Sequence, residues 1–298
     1  VLVSRGRLVL SLALGVIAVS FASIFIRLAQ AEGMPTLAIA AWRLVFASLV
    51  LLPYAWVTRR DEIRELVWSE WRLLIAAGIF LGLHFAAWIT SFSYTSVASS
   101  VVLVSMGPVF VGLGSWLFLR ERPGFKTAAG ITLAAVGSVV IGLGDLQQGQ
   151  DVLLGDLLAL AGAIFVACYL IIGRKVRGRR SLTAYIALVY GVAMVTLLVV
   201  VLLARQPMLG YSWQAYGWTM ALGLGPQVAG HSILNWALRY LSATFVSIVT
   251  LAEPIGSGIL AWVILGEAIT LPTAAGATLV LSGVFVASRA EIGVVRAR

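Results

Sequence analysis

Apolar stretches long enough to cross a bilayer recur ten times along the 298 residues, near 8–29, 36–57, 73–93, 97–119, 127–144, 152–173, 183–204, 216–238, 241–265 and 272–288. About 20 apolar residues in a helix cover roughly 30 Å of hydrocarbon, so each stretch reads as one membrane span. Between them stand turn residues or charge: Gly33-Met34-Pro35, Thr58 to Glu65, Arg122-Pro123-Gly124, Gln147 to Asp151, Arg174 to Arg180 and Gln206-Pro207. Composition agrees, with 61% hydrophobic and 11% charged residues. A soluble domain carries about 25% charged residues to keep its surface in water. A soluble enzyme, a disordered chain and a collagen-like chain are thereby excluded. The expected fold class is all-α: a polytopic membrane protein of ten transmembrane helices.

Breaks at 94–96 and 239–240 are weak, so the count of spans rests on charge. With the N-terminus inside, 18 of the 21 Lys and Arg residues fall in inner segments, only Arg205 in an outer loop, and Arg27 and Arg43 within spans. Cytoplasmic loops of membrane proteins carry such an excess, and a wrong count would scramble it. Ten spans with both termini cytoplasmic follow, in a membrane expected to be a bacterial inner membrane. The net charge of +9 is accordingly read as anchoring to anionic headgroups and not as a nucleic-acid footprint. Arg5, Arg7, an apolar run and Ala29-Gln30-Ala31 have the outline of a signal peptide. The apolar run of about 20 residues exceeds the usual 7–15, so it is taken as the first span. Cys168 is the only cysteine, which leaves no internal disulfide.

Sliding the chain against itself by 146 positions aligns Trp116-Leu117-Phe118-Leu119-Arg120-Glu121 with Trp262-Val263-Ile264-Leu265-Gly266-Glu267. Thr127-Ala128-Ala129-Gly130 meets the identical Thr273-Ala274-Ala275-Gly276, Gly137 meets Gly283, and Pro108 meets Pro254. His84 and His231 match with a slip of one residue. Two units are expected, 1–146 with spans one to five and 147–298 with spans six to ten. Five is odd, so the halves cross the membrane in opposite senses, the architecture of alternating-access transporters.

Tyr94 to Ser99, Pro108-Val109-Phe110, Trp116 to Arg122 and Gly130 to Gly137, repeated through Glu253-Pro254-Ile255 and Leu265-Gly266-Glu267, resemble the EamA type of the drug/metabolite transporter superfamily. Arg27, Pro35 and Arg43 in the first two spans fit as well, so the resemblance covers essentially the whole chain. It implies a ten-helix exporter of small metabolites, often amino acids, with a central cavity open alternately to each side. It does not name a substrate.

Polar side chains inside a bilayer are costly and are therefore candidates for the site. Gln227, His231 and Asn235 stand at i, i+4 and i+8, on one face of span eight if it is an α-helix. His84 and Trp88 stand at i, i+4 in span three. The two histidines occupy corresponding places in the halves and should approach the pseudo-two-fold axis together. They either line a cavity and hydrogen-bond the solute or make interhelical contacts. Ser20 on span one and Tyr169 on span six correspond in the same way and are candidate lining residues. Arg43 lies about 10 Å into span two by helix rise, where it either holds a substrate carboxylate or clamps carbonyls between helices. Glu253 is the one carboxylate near a span centre and a candidate proton carrier, and Pro254 beside it should kink the helix. Gly107-Pro108 repeats the kink without the acid. Glu253, Pro254 and Pro108 are the candidates for coupling or gating.

No phosphate loop, His-Glu-x-x-His, metal cluster or pair of catalytic carboxylates is present in the sequence. Catalysis is not expected, and the function that the resemblance implies is export without a cofactor. The mixture of His84, His231, Gln227 and Asn235 with aromatic neighbours points to amino acids with aromatic or large apolar side chains. Expected partners are the solute and the lipid bilayer, not nucleic acid, with the chain acting as a monomer or homodimer. A phosphorylated or nucleotide-linked solute would want several basic residues in the cavity, and a membrane scaffold would need no polar midplane.

Overall fold

The computed structural model describes residues 5–91, 93, 94, 100, 103, 104, 106–120, 124–144, 152–265 and 271–295. Among these residues the regular structure is entirely helical. The first half contributes α1 (Arg5–Ala31), α2 (Thr36–Thr58), the short α3 (Arg60–Arg64), α4 (Trp68–Ser91), α5 (Gly107–Gly114) and α6 (Phe125–Gly144). The second contributes α7 (Val152–Arg177), α8 (Leu182–Leu203), α9 (Trp213–Leu222), α10 (Ser232–Ala237), α11 (Ala243–Thr250), α12 (Glu253–Leu265) and α13 (Leu271–Val295). Six stretches are individually long and apolar enough to cross a membrane: Gly6–Ala31, Thr36–Thr58, Trp68–Ser91, Leu154–Arg177, Leu182–Leu203 and Ala243–Ile264. Three shorter apolar helices, Gly107–Leu119, Phe125–Gly137 and Ala274–Ala287, stand at the places expected for spans four, five and ten. Span eight is composite: α9, a π-helical stretch over Gly223–His231, and α10.

The surface is that of a protein solvated by lipid. Leu10, Leu14, Leu49, Leu117, Phe118, Leu202 and Phe285 are all exposed, whereas Arg43, Arg177, Gln227 and Asn235 are almost wholly buried. Helix ends take their own local solutions. Ser181, Ser212 and Ser242 accept the N–H groups of Ala184, Ala215 and Phe245 and so cap α8, α9 and α11. The turn into α2 uses Gly33 at φ 79°, a left-handed backbone that glycine adopts without a side-chain clash.

Apolar burial does not drive helices together in lipid, so close packing of small residues must. The α6–α13 contact shows how. A Cβ on Gly137 would stand 2.6 Å from Gly276 O and 2.7 Å from Val280 N, and one on Gly283 would stand 2.6 Å from Gly130 O and 2.7 Å from Ala134 N. The two sets of contacts are the same set shifted by 146 residues. Partners fall in number on α13 as they rise on α6, so the two helices run antiparallel. The same exchange governs the other contacts. Helix α1 packs on the π stretch and on α12, as α7 packs on α4 and on α5. Helix α2 packs on α8, and α5 on α11, each pair joining corresponding spans of the two halves. A two-fold relation that pairs antiparallel partners turns one half over relative to the other.

Span nine is interrupted, not merely kinked. Leu251 N and Ala252 N bond three residues back, to Ile248 O and Val249 O, and α12 then begins at Glu253-Pro254. Proline suits a first helical turn because its missing N–H would lack an intrahelical partner there anyway. Pro108 likewise sits in the first turn of α5, after the turn at Met106. The expected kinks at Pro254 and Pro108 are thus helix starts at corresponding positions of the two halves.

Candidate functional site

Helix α2 brings Arg43 inward among apolar residues, where it is 1% exposed. Its Nε donates to Gln227 Oε1 at 2.7 Å, and its guanidinium carbon lies 4.1 Å from the centre of the Phe85 ring. Gln227 belongs to the π stretch, and this corrects the expected α-helical face. Pro226 lacks the N–H that an α-helix would need and sits inside the widened turns with Gly223 and Gly225. π turns of this kind gather at functional sites. Gln227, His231 and Asn235 still reach the interior, but on a coil wider than the i, i+4 spacing assumes.

Asn235 is the hub of a second group. Its Oδ1 accepts from Tyr169 Oη at 2.6 Å, and its Nδ2 donates to His231 O at 2.8 Å and to Tyr190 Oη at 3.3 Å. Burial without such partners would cost about 1–3 kcal/mol per polar group, so the three side chains hold one another in place. Phe85 joins the two groups. His231 meets its edge at 5.9 Å, and His84 packs beside it at 5.0 Å. The two histidines therefore converge on one ring contributed by α4. His84 Nδ1 lies 2.9 Å from Gly162 O. A carbonyl only accepts, so Nδ1 carries the proton and Nε2 is left as the ring's second site. Trp88 stacks on His84, with centroids 5.8 Å apart and planes at 11°.

Ser20 is committed to a helix junction. Its Oγ donates to Val16 O at 2.8 Å and approaches Glu253 O at 3.4 Å, and Ser20 O accepts from Ser257 Oγ at 3.0 Å. A Cβ on Gly256 would collide with Ser20 Oγ, so α1 and α12 touch here at the start of α12. Glu253 is half-buried at that start, within electrostatic reach of Arg43 but without an ion pair to it. Pro254 is half-buried and Pro108 buried.

The expected residues thus fall into two joined groups: Arg43 with Gln227, and Asn235 with Tyr169, bridged by the His84–Phe85–His231 packing and flanked by Trp88, Ser20 and Glu253. Sequence reasoning missed Phe85, whose role depends on the partner above it, and passed over Tyr190. It also missed Arg177, which it placed in an inner loop. Arg177 is 1% exposed, and its Nε donates to Asn235 O at 3.1 Å. Arg174 does the same for Leu238 O at 2.8 Å, so two arginines of α7 take up the carbonyls that end span eight. Beyond them Arg180 forks onto Glu70, and Ser181 N donates to Glu62 Oε1 at 2.7 Å. Hydrogen bonding to Glu70 raises the Arg180 pKa above its ordinary value. At the opposite end Ser212 Oγ donates to Glu32 Oε2 at 2.6 Å and Trp42 Nε1 to Met208 O at 2.9 Å. The loops at both ends are tied down over a buried centre.

The sequence pattern of the EamA-like transporter family matches residues 7–143 and, a second time, residues 153–289. The chain belongs to this family. Similar proteins include an uncharacterized transporter of Archaeoglobus fulgidus, 24% identical over 267 residues that span 90% of this chain and 91% of that one. Another is the uncharacterized transporter YwfM of Bacillus subtilis, 24% identical over 264 residues, 87% of this chain and 86% of that one. A solved crystal structure at 18% identity shares the fold over 98% of this chain and 99% of its own, with a TM-score of 0.78. Membership makes this EamA-like chain a membrane transporter, with a small-molecule substrate and the bilayer as its partners. Both family matches enclose candidate residues: Ser20, Arg43, His84 and Trp88 in the first, Tyr169, Gln227, His231, Asn235 and Glu253 in the second.

Proposed function

We propose that this chain is a secondary transporter that exports small metabolites, foremost amino acids with aromatic or large apolar side chains, by alternating access. In this reading it sits in a bacterial inner membrane with both termini cytoplasmic and divides into the units 1–146 and 147–298. The observation that carries the proposal is the buried Arg43–Gln227 pair, which joins the two halves, beside the Tyr169–Asn235–Tyr190 group of the second half. Polar groups of this kind suit a zwitterion, and Phe85, Trp88 and Tyr169 suit an apolar or aromatic side chain. The helix starts at Pro108 and Pro254, with Glu253, are the segments proposed to move or couple. Among the described residues Arg43 is joined at this centre only by Arg177, which is spent on the backbone carbonyls of Asn235 and Arg180, and this argues against a phosphorylated solute. The polar centre itself argues against a scaffold.

The test is uptake of a labelled amino-acid panel into proteoliposomes, with and without a pH gradient. Saturable uptake of phenylalanine, tryptophan or leucine that is lost in H84A and W88A supports the proposal. No uptake across the panel by folded, inserted protein, or unchanged uptake in both variants, removes it.

A further inference from the structure

Among the described residues, one N–H donor group on Arg43 and one on Gln227 have no acceptor. Arg43 engages Gln227 through Nε and Phe85 through the face of its guanidinium, and Nη2 remains buried without a hydrogen-bond partner. Gln227 Nε2 is in the same condition. Turning the amide would not help. Arginine can only donate, so the amide oxygen must face it and the NH2 must face elsewhere. The orphan donors therefore belong to two side chains joined by one hydrogen bond, each 1% exposed or less. Native proteins rarely leave buried donors unmatched, and an unmatched group calls for a partner that the bare chain does not supply.

The neighbouring groups do not supply it. Tyr190 Oη lies close to Gln227 but gives its hydrogen toward Gln227 O at 3.5 Å and accepts from Asn235 Nδ2 at 3.3 Å. Neither it nor a histidine ring nitrogen bonds either donor. Glu253 acts on the Arg43 charge only at longer range. His84 Nδ1 is engaged with Gly162 O, and His231 meets Phe85 through its ring. Asn235 spends its oxygen on Tyr169. What fits two donors on side chains joined by a hydrogen bond, one of them charged, is a planar anion with two acceptor oxygens. We infer that Arg43 Nη2 and Gln227 Nε2 form a carboxylate-recognition site for the transported solute, with the remainder of the solute lying toward Phe85 and Trp88. This rests on the reading of the centre as the substrate site. It makes the carboxylate the required group and the amine a secondary one.

The test uses purified full-length protein in nanodiscs and three matched probes: L-phenylalanine, 3-phenylpropionate (no amine) and phenethylamine (no carboxylate). Binding is followed by ligand-induced thermal stabilisation and competition. Both carboxylates should bind at least about tenfold more tightly than phenethylamine. R43Q should abolish that preference, and R43K, which keeps the charge but not the fork, should retain part of it. Should R43Q fail to fold, the wild-type ranking and R43K decide. Equal binding of phenethylamine and phenylalanine overturns the inference, as does an undiminished preference in R43Q or a failure of both carboxylates to bind. The two readings fail separately. Binding of 3-phenylpropionate without phenylalanine removes the amino-acid reading and keeps the carboxylate site. Phenylalanine and its methyl ester bound equally well would do the reverse.

Discussion

Replacing Gly137 by alanine puts a methyl carbon 2.6 Å from Gly276 O, where an ordinary contact begins at 3.4 Å. Helices α6 and α13 must then separate locally by roughly 0.8 Å, because the obstacles are backbone atoms that cannot rotate away. Overpacking of this kind costs about 1–3 kcal/mol, and rigid obstacles place it near the top of that range. Alanine's better helix propensity returns about 1 kcal/mol, leaving a net loss near 2 kcal/mol. Gly283 meets equivalent atoms at the same 2.6 and 2.7 Å, so G283A should cost the same amount. The double variant should lose less than the sum, about 3 kcal/mol, because the first substitution already opens the crossing that the second needs opened. Thermal and SDS-induced unfolding of purified protein would measure all three. G217A, whose added Cβ meets nothing within 4 Å, serves as the control and should not destabilise. The reasoning fails if G137A is as stable as wild type, or if G137A and G283A differ by more than about 1 kcal/mol, beyond the scatter expected of equivalent sites.

Three further outcomes are expected. An R180A/E70A double-mutant cycle should give a coupling of about 1 kcal/mol, since the forked pair is only partly exposed, and the coupling should shrink in high salt. N235L should cost about 2–3 kcal/mol by orphaning Tyr169 Oη, and adding Y169F should recover part of that in the same unfolding assay. With proton coupling through Glu253, E253Q keeps counterflow exchange in proteoliposomes but loses stimulation by a pH gradient; stimulation that survives in E253Q assigns the coupling elsewhere.

The all-helical membrane fold and the internal repeat were legible because hydrocarbon thickness fixes span length and a duplicated unit leaves matching residues behind. Gly130 and Gly137 could be read as packing residues because lipid leaves small side chains as the means of close approach. Convergence of Arg43, Gln227, Asn235 and Tyr169 was readable only as a shared depth and polarity. Which atoms pair depends on helix rotations that periodicity does not fix. The π stretch carried a faint signal, Gly223-Leu224-Gly225-Pro226 inside an apolar run, which predicts disturbance without saying that the coil widens. Arg177 gave none. A basic residue at a helix end ordinarily meets solvent or its own carbonyls, and here the carbonyl belongs to another helix 58 residues away in sequence.

The loops that close the two ends occupy corresponding places in the halves, yet they are held by different chemistry. The α7–α8 loop is fastened by three arginines and two glutamates. The α1–α2 loop is joined to the other half through a serine hydroxyl on Glu32, with an indole N–H nearby on Met208 O. Under the alternating access proposed above, a repeated architecture by itself gives the two closed states equal standing. On that reading, unequal fastenings would tilt the balance toward keeping the arginine end shut and would make the tilt sensitive to ionic strength. Evolution could therefore retune which side the empty carrier faces by editing a few loop residues, leaving the residues that meet the cargo untouched.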